Sequence, residues 1–71
     1  ITLPYYVKNS GTPVIISLTD ISGRMVKPLF NGVSKGGKEL ITFNGANVNH
    51  GVYLIRIQVG NEVGWRKLIL Y

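Results

Sequence analysis

The chain has 71 residues, of which 45% are hydrophobic, enough apolar material for the interior of one small domain. It has no cysteine and a single histidine, so disulfides and a histidine–cysteine metal site are excluded as sources of stability. The net charge of +5 comes from cations that lie singly along the chain, except at Arg66-Lys67. They are not interleaved with aromatic residues as on a nucleic-acid surface, so we expect no nucleic-acid partner. No apolar run approaches about 20 residues, so we expect no membrane-spanning helix.

In the first half of the chain, apolar residues recur with a period of two, which predicts strands and no helix. The predicted strands cover residues 1–7, 14–19 and 24–30. Pro28 removes a donor from the hydrogen-bond ladder and therefore indicates that the third strand lies at a sheet edge. We expect a polar connection to start at Asn31-Gly32 and to run to Gly36-Gly37.

Between the second and third strands, the sequence Asp20-Ile21-Ser22-Gly23 predicts a tight turn. The Asp20 carboxylate can accept a hydrogen bond from the backbone amide two residues further on. Gly23 can adopt a positive φ without strain. Both residues are therefore expected to have a structural role.

The second half of the chain predicts strands over residues 38–43, 52–59 and 62–71, the last two joined by a hairpin turn at Gly60-Asn61. In the last strand, Leu68 and Leu70 share one face, while Trp65, Ile69 and Tyr71 share the other. A turn-rich segment, 44–51, precedes the fifth strand. Its one prominent apolar side chain, Val48, is expected to anchor it to the core.

Gly51-Val52-Tyr53 follows this segment directly and is typical of the tyrosine corner of sandwich folds. The Tyr53 hydroxyl is expected to bond the corner backbone while its ring packs inside. We interpret this feature as structural.

Six to seven short strands without a helix predict an all-β fold, an immunoglobulin-like antiparallel β-sandwich. We expect one domain over residues 1–71, forming the C-terminal part of a longer secreted protein, with a further strand possible ahead of residue 1. The predicted interior consists of ten side chains: Val14, Ile16, Leu18, Ile41, Phe43, Tyr53, Ile55, Ile57, Leu68 and Leu70.

The chain has few side chains that could act in catalysis. The three carboxylates, Asp20, Glu39 and Glu62, are scattered along the chain, and His50 lies in a predicted loop. This pattern gives no general acid–base or metal-ligand signal, so we expect no enzymatic activity and no cofactor. Trp65, on the face opposite Leu68 and Leu70, is expected to be partly exposed and is a weak candidate for contact with a sugar.

Three stretches, VIISLTDISGRMVKPLF, GKELITFNGANVNHGVYLIRIQVGN and WRKLILY, resemble the type A C-terminal sorting domain of the type IX secretion system. They are also similar to the related immunoglobulin-like module of flagellar hook-capping proteins. The motifs that carry the resemblance are an Asp-x-x-Gly-Arg turn at 20–24, a Gly-Val-Tyr corner at 51–53, and a Lys-Leu-apolar strand at 67–69.

The resemblance implies an export label on a larger bacterial protein that is secreted or held at the cell surface. It further implies recognition by the outer-membrane secretion machinery, cleavage by a sortase-like protease, and attachment of the cargo to anionic lipopolysaccharide. Within the chain, the adjacent basic pair and the apolar residues after it predict a recognition strand. That strand comprises Arg66, Lys67, Leu68, Ile69, Leu70 and Tyr71.

Two alternatives remain open. One is a carbohydrate-binding accessory module of a secreted hydrolase or adhesin, with Trp65 as the sugar contact. The other is a structural immunoglobulin-like module in a hook-capping or adhesion assembly.

Overall fold

The computed structural model describes residues 2–43 and 48–71, and in this part of the chain it contains six strands and no helix. The strands are β1 (Thr2–Val7), β2 (Pro13–Asp20), β3 (Met25–Val33), β4 (Gly37–Thr42), β5 (Gly51–Val59) and β6 (Glu62–Leu70). All pairings are antiparallel. The predicted all-β sandwich is confirmed.

Two sheets form the sandwich. β1 and β4 pair as a two-stranded sheet, and the other strands form a four-stranded sheet in the order β3-β2-β5-β6. Two hairpins, β2–β3 and β5–β6, build the larger sheet, and their strands β2 and β5 pair at its centre. In this order β3 and β6 are the two edges of the larger sheet.

The core lies between the sheets and is centred on β2. Val14, Ile16 and Leu18 are completely buried on the face of β2 that points towards the smaller sheet. Across the β2–β5 pairing, Ile16 is opposite Ile57 and Leu18 is opposite Ile55. This fits the alternation expected of strands with one face in the interior.

The ten side chains predicted for the interior are all buried or half-buried. The prediction omitted Tyr5 and Val7, which are also buried and which belong to the same apolar cluster. Both come from β1, so the smaller sheet contributes more side chains to the core than was predicted.

The predicted end of the third strand is wrong. β3 does not stop at Phe30 but continues to Val33, with Asn31 opposite Ile15 and Gly32 opposite Val14. Residues 13–15 of β2 pair with this end of β3, and that pairing outweighs the preference of Asn-Gly for a turn. The connection that follows is therefore shorter than expected.

Part of the predicted turn-rich segment, residues 44–47, lies outside the described residues. Within the described ranges, no helix is long and apolar enough to cross a membrane.

Candidate functional site

β6 contains residues 66–70 of the predicted recognition strand, and in the described part of the chain it is an outer strand of the four-stranded sheet, paired with β5. Its register with β5 is continuous, from Val59 opposite Glu62 to Gly51 opposite Leu70. The turn between the two strands has Gly60 at φ 59°, while Asn61 has no positive φ, a pattern typical of a type II′ hairpin turn. One side of β6 therefore presents a regular row of backbone groups without a strand beside it.

The other outer strands of the described structure are shorter or interrupted. β3 contains Pro28, and its register with β2 shifts twice, between Ile16 and Ser17 and between Leu18 and Thr19. β1 contains Pro4, and both β1 and β4 have six residues against nine in β6. Proline and bulges are devices that keep sheet edges from pairing with another strand. β6 is thus the longest described edge that carries neither.

Strand alternation separates the basic pair of β6 onto two faces. Arg66 lies opposite Ile55, on the face towards the smaller sheet. Lys67 lies opposite Leu54, on the outer face. The two cations therefore do not form a single patch, and a partner that meets both must contact both faces of the strand.

The apolar residues of the predicted recognition strand are divided in the same way. Leu68 and Leu70 are half-buried on the inner face, whereas Ile69 and Tyr71 are exposed, Tyr71 to 93%. Of the inner pair, Leu68 packs against the core, and the outer pair remains available for contact.

A groove separates the first half of β6 from β1. This β1–β6 groove, of about 290 Å³, is lined by Tyr5 and Tyr6 of β1, by residues 62–66 of β6, and by Ile57 and Val59 of β5. The inner face of β6 carries no apolar side chain along this stretch, because Glu62, Gly64 and Arg66 occupy it. The sandwich is therefore open beside the free edge of β6, with room for side chains of an added strand.

Trp65 lies on the outer face of β6, opposite Arg56 on β5, and 51% of its surface is exposed. The predicted partial exposure is confirmed. The Arg56 guanidinium Nη1 donates a hydrogen bond of 3.0 Å to Oε1 of Gln58, a residue of the same strand. The half-exposed aromatic ring keeps Trp65 a candidate ligand contact.

The turn between β2 and β3 is organised by the Asp20 carboxylate. Its Oδ1 accepts hydrogen bonds from the backbone N–H groups of Ser22 and Arg24, each at 3.0 Å, and from the Ser22 hydroxyl at 2.5 Å. These bonds, the Ser22 hydroxyl bond first and the Arg24 backbone bond next, lower the pKa of Asp20. Gly23 has φ 92° and donates its N–H to the Asp20 carbonyl oxygen. Each of these contacts is a turn contact, far from β6 in sequence.

Tyr53 lies near the start of β5, and its hydroxyl donates a hydrogen bond of 2.6 Å to the carbonyl oxygen of Asn49. Val48 is half-buried and packs against the core. Gly51 is the first residue of β5 and pairs with Leu70 of β6. The corner thus holds the end of the turn-rich segment against the sheet.

A polar cluster that sequence reasoning missed joins Ser34 and Glu39. The two oxygens of the Glu39 carboxylate accept hydrogen bonds from the Ser34 hydroxyl and the Lys35 backbone N–H, both at 3.1 Å. Ser34 is 97% buried, since only 3% of its surface is exposed, and its hydroxyl accepts a bond from the Gly36 N–H. Burial and the neighbouring Glu39 carboxylate together raise the pKa of Tyr5.

This cluster fastens the β3–β4 connection to the smaller sheet, so Glu39 is not the isolated acid that the sequence suggested. The sequence feature that could have predicted this cluster is a serine and a glutamate on either side of Gly36-Gly37. Within residues 2–43 and 48–71, no three histidine, cysteine, aspartate or glutamate side chains come together.

One family model matches the chain. It is described as a secretion system C-terminal sorting domain, and the match covers residues 2–71. It therefore includes the Asp20 turn, the Tyr53 corner and the whole of β6. No curated protein and no solved structure matches the chain.

Proposed function

The chain belongs to the family of secretion system C-terminal sorting domains, and we propose that its partner in the type IX secretion machinery recognises it through β6. A domain of this family is a C-terminal signal for the export of the protein that carries it. The finer proposal concerns how this chain performs that role.

The observation that carries the proposal is the uninterrupted free edge of β6. An extended segment of a receptor can add to such an edge as a further strand, with main-chain hydrogen bonds giving affinity and side chains giving specificity. Because the sandwich is folded, β6 presents these groups in a fixed geometry. Recognition then requires little ordering of the label itself.

Specificity in this proposal comes from Arg66 to Tyr71. Lys67 and the exposed side chains of Ile69 and Tyr71 meet the receptor on the outer face of the sheet. Arg66 meets it on the other face, at the β1–β6 groove. Leu68 packs against the core and holds the strand there, and the half-buried Leu70 lies on the same face.

Two later steps belong to the same proposal. A sortase-like protease removes the domain, and the cargo is attached to anionic lipopolysaccharide at the cell surface. The net charge of +5 is compatible with close approach to an anionic surface.

The test is export of a passenger protein fused to the domain. Lys67→Ala removes an exposed cation with little effect on packing, so we expect reduced export while the purified domain keeps its thermal midpoint. Lys35→Ala is the matched control, since Lys35 is also exposed but lies in the β3–β4 connection, and its fusion should be exported normally. Undiminished export of the Lys67→Ala fusion would remove this side chain from the signal.

A second candidate function rests on Trp65. Its half-exposed ring favours a carbohydrate-binding accessory module of a secreted hydrolase or adhesin over a purely structural one. Glycan-array binding that is lost in Trp65→Ala, with export retained, would support it. A complete lack of glycan binding by the unaltered domain would leave Trp65 without this role.

A further inference from the structure

The first half of β6 is complementary to itself in the antiparallel direction. Its sequence is Glu62-Val63-Gly64-Trp65-Arg66. When two copies of this sequence run antiparallel about Gly64, Glu62 faces Arg66 and Val63 faces Trp65. We propose that the β6 strands of two copies of this chain pair in this register and form a dimer.

The backbone of β6 permits this pairing. Val59 and Glu62 close a two-residue hairpin, and the closing pair of such a hairpin exchanges hydrogen bonds. The N–H and C=O groups of Val63 and Trp65 therefore point away from β5, towards the free edge. In the proposed register these two residues are opposite each other across the dimer axis, so their backbones exchange hydrogen bonds on both sides of it.

The charged side chains fit the same register. Glu62 and Arg66 are exposed, and neither has a side-chain hydrogen bond or an ion pair within the described part of the chain. They do not pair with each other within the described part of one copy, where four residues of strand separate their Cα atoms by about 13 Å. Across the axis each faces its opposite charge, an arrangement that stabilises cross-strand pairs.

The apolar side chains of this stretch also gain a neighbour. Val63 and Trp65 are 45% and 51% exposed on the outer face. In the dimer each lies opposite the other, an aromatic and β-branched pair of the kind that stabilises antiparallel sheets. The pairing thus covers exposed apolar surface that the single chain leaves in water.

Gly64 supplies an independent observation. It lies in the middle of a regular strand, its φ is not positive, and a Cβ atom there would have no neighbour within 4 Å. The fold of the single chain therefore does not require glycine at this position, and glycine weakens a strand. At the dimer axis two Gly64 residues form a non-hydrogen-bonded pair, where the backbones approach to about 4.5 Å and a missing side chain eases the contact.

Other registers are less favourable. Pairing centred on Arg66 would place the two guanidinium groups against each other and leave Glu62 opposite an apolar side chain, since Leu70 lies four residues beyond the axis. A single pair of strands buries less than the area of a standard interface, and the two chains carry +5 each. The dimer is therefore weak and forms in a concentration-dependent manner.

The test is the molecular mass of the chain by sedimentation equilibrium over a rising concentration series. The mass should increase from 7.8 kDa towards that of a dimer. Glu62→Arg and Arg66→Glu each create like-charge pairs across the axis, so each variant alone should remain a monomer. An equimolar mixture of the two variants should recover the dimer, because mixed pairing brings opposite charges together at both ends.

Lys35→Glu is the matched control for Arg66→Glu. It changes the net charge by the same amount at an exposed site away from β6, and the dimer should persist. Since Glu62 and Arg66 are exposed, both variants should keep the thermal midpoint of the original chain.

A monomer at concentrations up to about 1 mM would overturn the proposal. So would a dimer that survives both single variants, as one formed by strand exchange would, or a mixture that stays monomeric. The readout is mass, so the result is independent of whether β6 also serves export. Because the dimer occupies the free edge, it would compete with any receptor strand that adds there.

Discussion

The two hairpins of the larger sheet have the same plan but different outer strands. β2–β3 and β5–β6 each place one strand at the centre of the sheet and one at its edge. Each is joined by a short turn with a glycine at positive φ, Gly23 at 92° and Gly60 at 59°. The outer strands then differ: β3 has Pro28 and two register shifts, whereas β6 has nine residues in continuous register.

This difference teaches that apolar content does not identify the interacting edge of the sheet. The sequence of β2, with Val14, Ile15 and Ile16, is as apolar as the end of β6, yet β2 is enclosed by strands on both sides. What distinguishes β6 is regular pairing with β5 on one side and, among the described residues, no strand on the other. The proposed recognition by a receptor and the proposed dimer both rely on that asymmetry.

The largest loss of stability is expected for a substitution in β2, where the first hairpin contributes to the core. Leu18→Ala removes a completely buried side chain, and loss of its contacts plus the remaining cavity should cost about 2–5 kcal/mol of unfolding free energy. The matched change in the second hairpin, Ile69→Ala on the outer face of β6, should cost about 1 kcal/mol or less. Urea denaturation of both variants measures the contrast, and equal losses would show that β6 is packed as tightly as β2.

The two hairpins also differ in what their glycines do. Gly23 has φ 92°, a backbone angle that alanine rarely adopts, so Gly23→Ala should destabilise the chain by about 1–2 kcal/mol. Gly64→Ala in β6 meets no atom within 4 Å and no positive φ, and alanine is favoured over glycine within a strand, so the unfolding free energy should rise by about 0.5–1 kcal/mol in dilute solution. A Gly64→Ala loss as large as that of Gly23→Ala would mean that the β6 backbone is more constrained than its register suggests.

A smaller effect is expected at the start of the second hairpin. Tyr53→Phe removes the hydroxyl that bonds the Asn49 carbonyl oxygen but keeps the ring. Because this bond lies at the exposed corner, water can replace it, and the loss should be about 0.5–1.5 kcal/mol. The urea midpoint measures it, with Tyr6→Phe on an exposed ring as the control. An unchanged midpoint in Tyr53→Phe would leave the corner without an energetic role.

Much of the fold followed from local pattern. The period-two alternation predicted six strands, Pro28 predicted an edge strand, and Gly60-Asn61 predicted the hairpin turn. These signals act over a few residues, through turn geometry and the loss of a backbone donor, so they can be read without knowing the partners.

Features that depend on contacts between residues far apart in the sequence could not be predicted from local pattern. The extension of β3 to Val33 requires β2 beside it, and the role of Glu39 requires Ser34 to fold back towards it. The rank of β6 among the edges depends on the order of strands in the sheet, which no short motif encodes. The sequence therefore predicted a candidate recognition strand, but it could not predict that this strand lies at a free edge of the sheet.

The smallest change in stability is expected at the Asp20 turn at the end of β2, and measuring it requires urea denaturation at several pH values. Ser22 and Arg24 bond the ionised carboxylate and lower its pKa below the ordinary value near 3.9. A carboxylate with a lowered pKa in the folded state stabilises the fold fully above its unfolded pKa. That contribution disappears as the pH falls through the folded pKa. Asp20→Asn keeps an acceptor but removes the charge, so the variant should have a lower urea midpoint than the original chain at pH 7.

The two midpoints should converge only as the pH falls through the lowered pKa of the folded Asp20 carboxylate, because the original chain is protonated there as well. Glu62→Gln is the control, since the Glu62 side chain makes no hydrogen bond or ion pair in the described part of the chain. In dilute solution its midpoint should fall with pH as steeply as that of the original chain. If Asp20→Asn shows the same acid dependence as the original chain, the ionised turn adds nothing to stability. The first hairpin would then depend on Gly23 and the core alone.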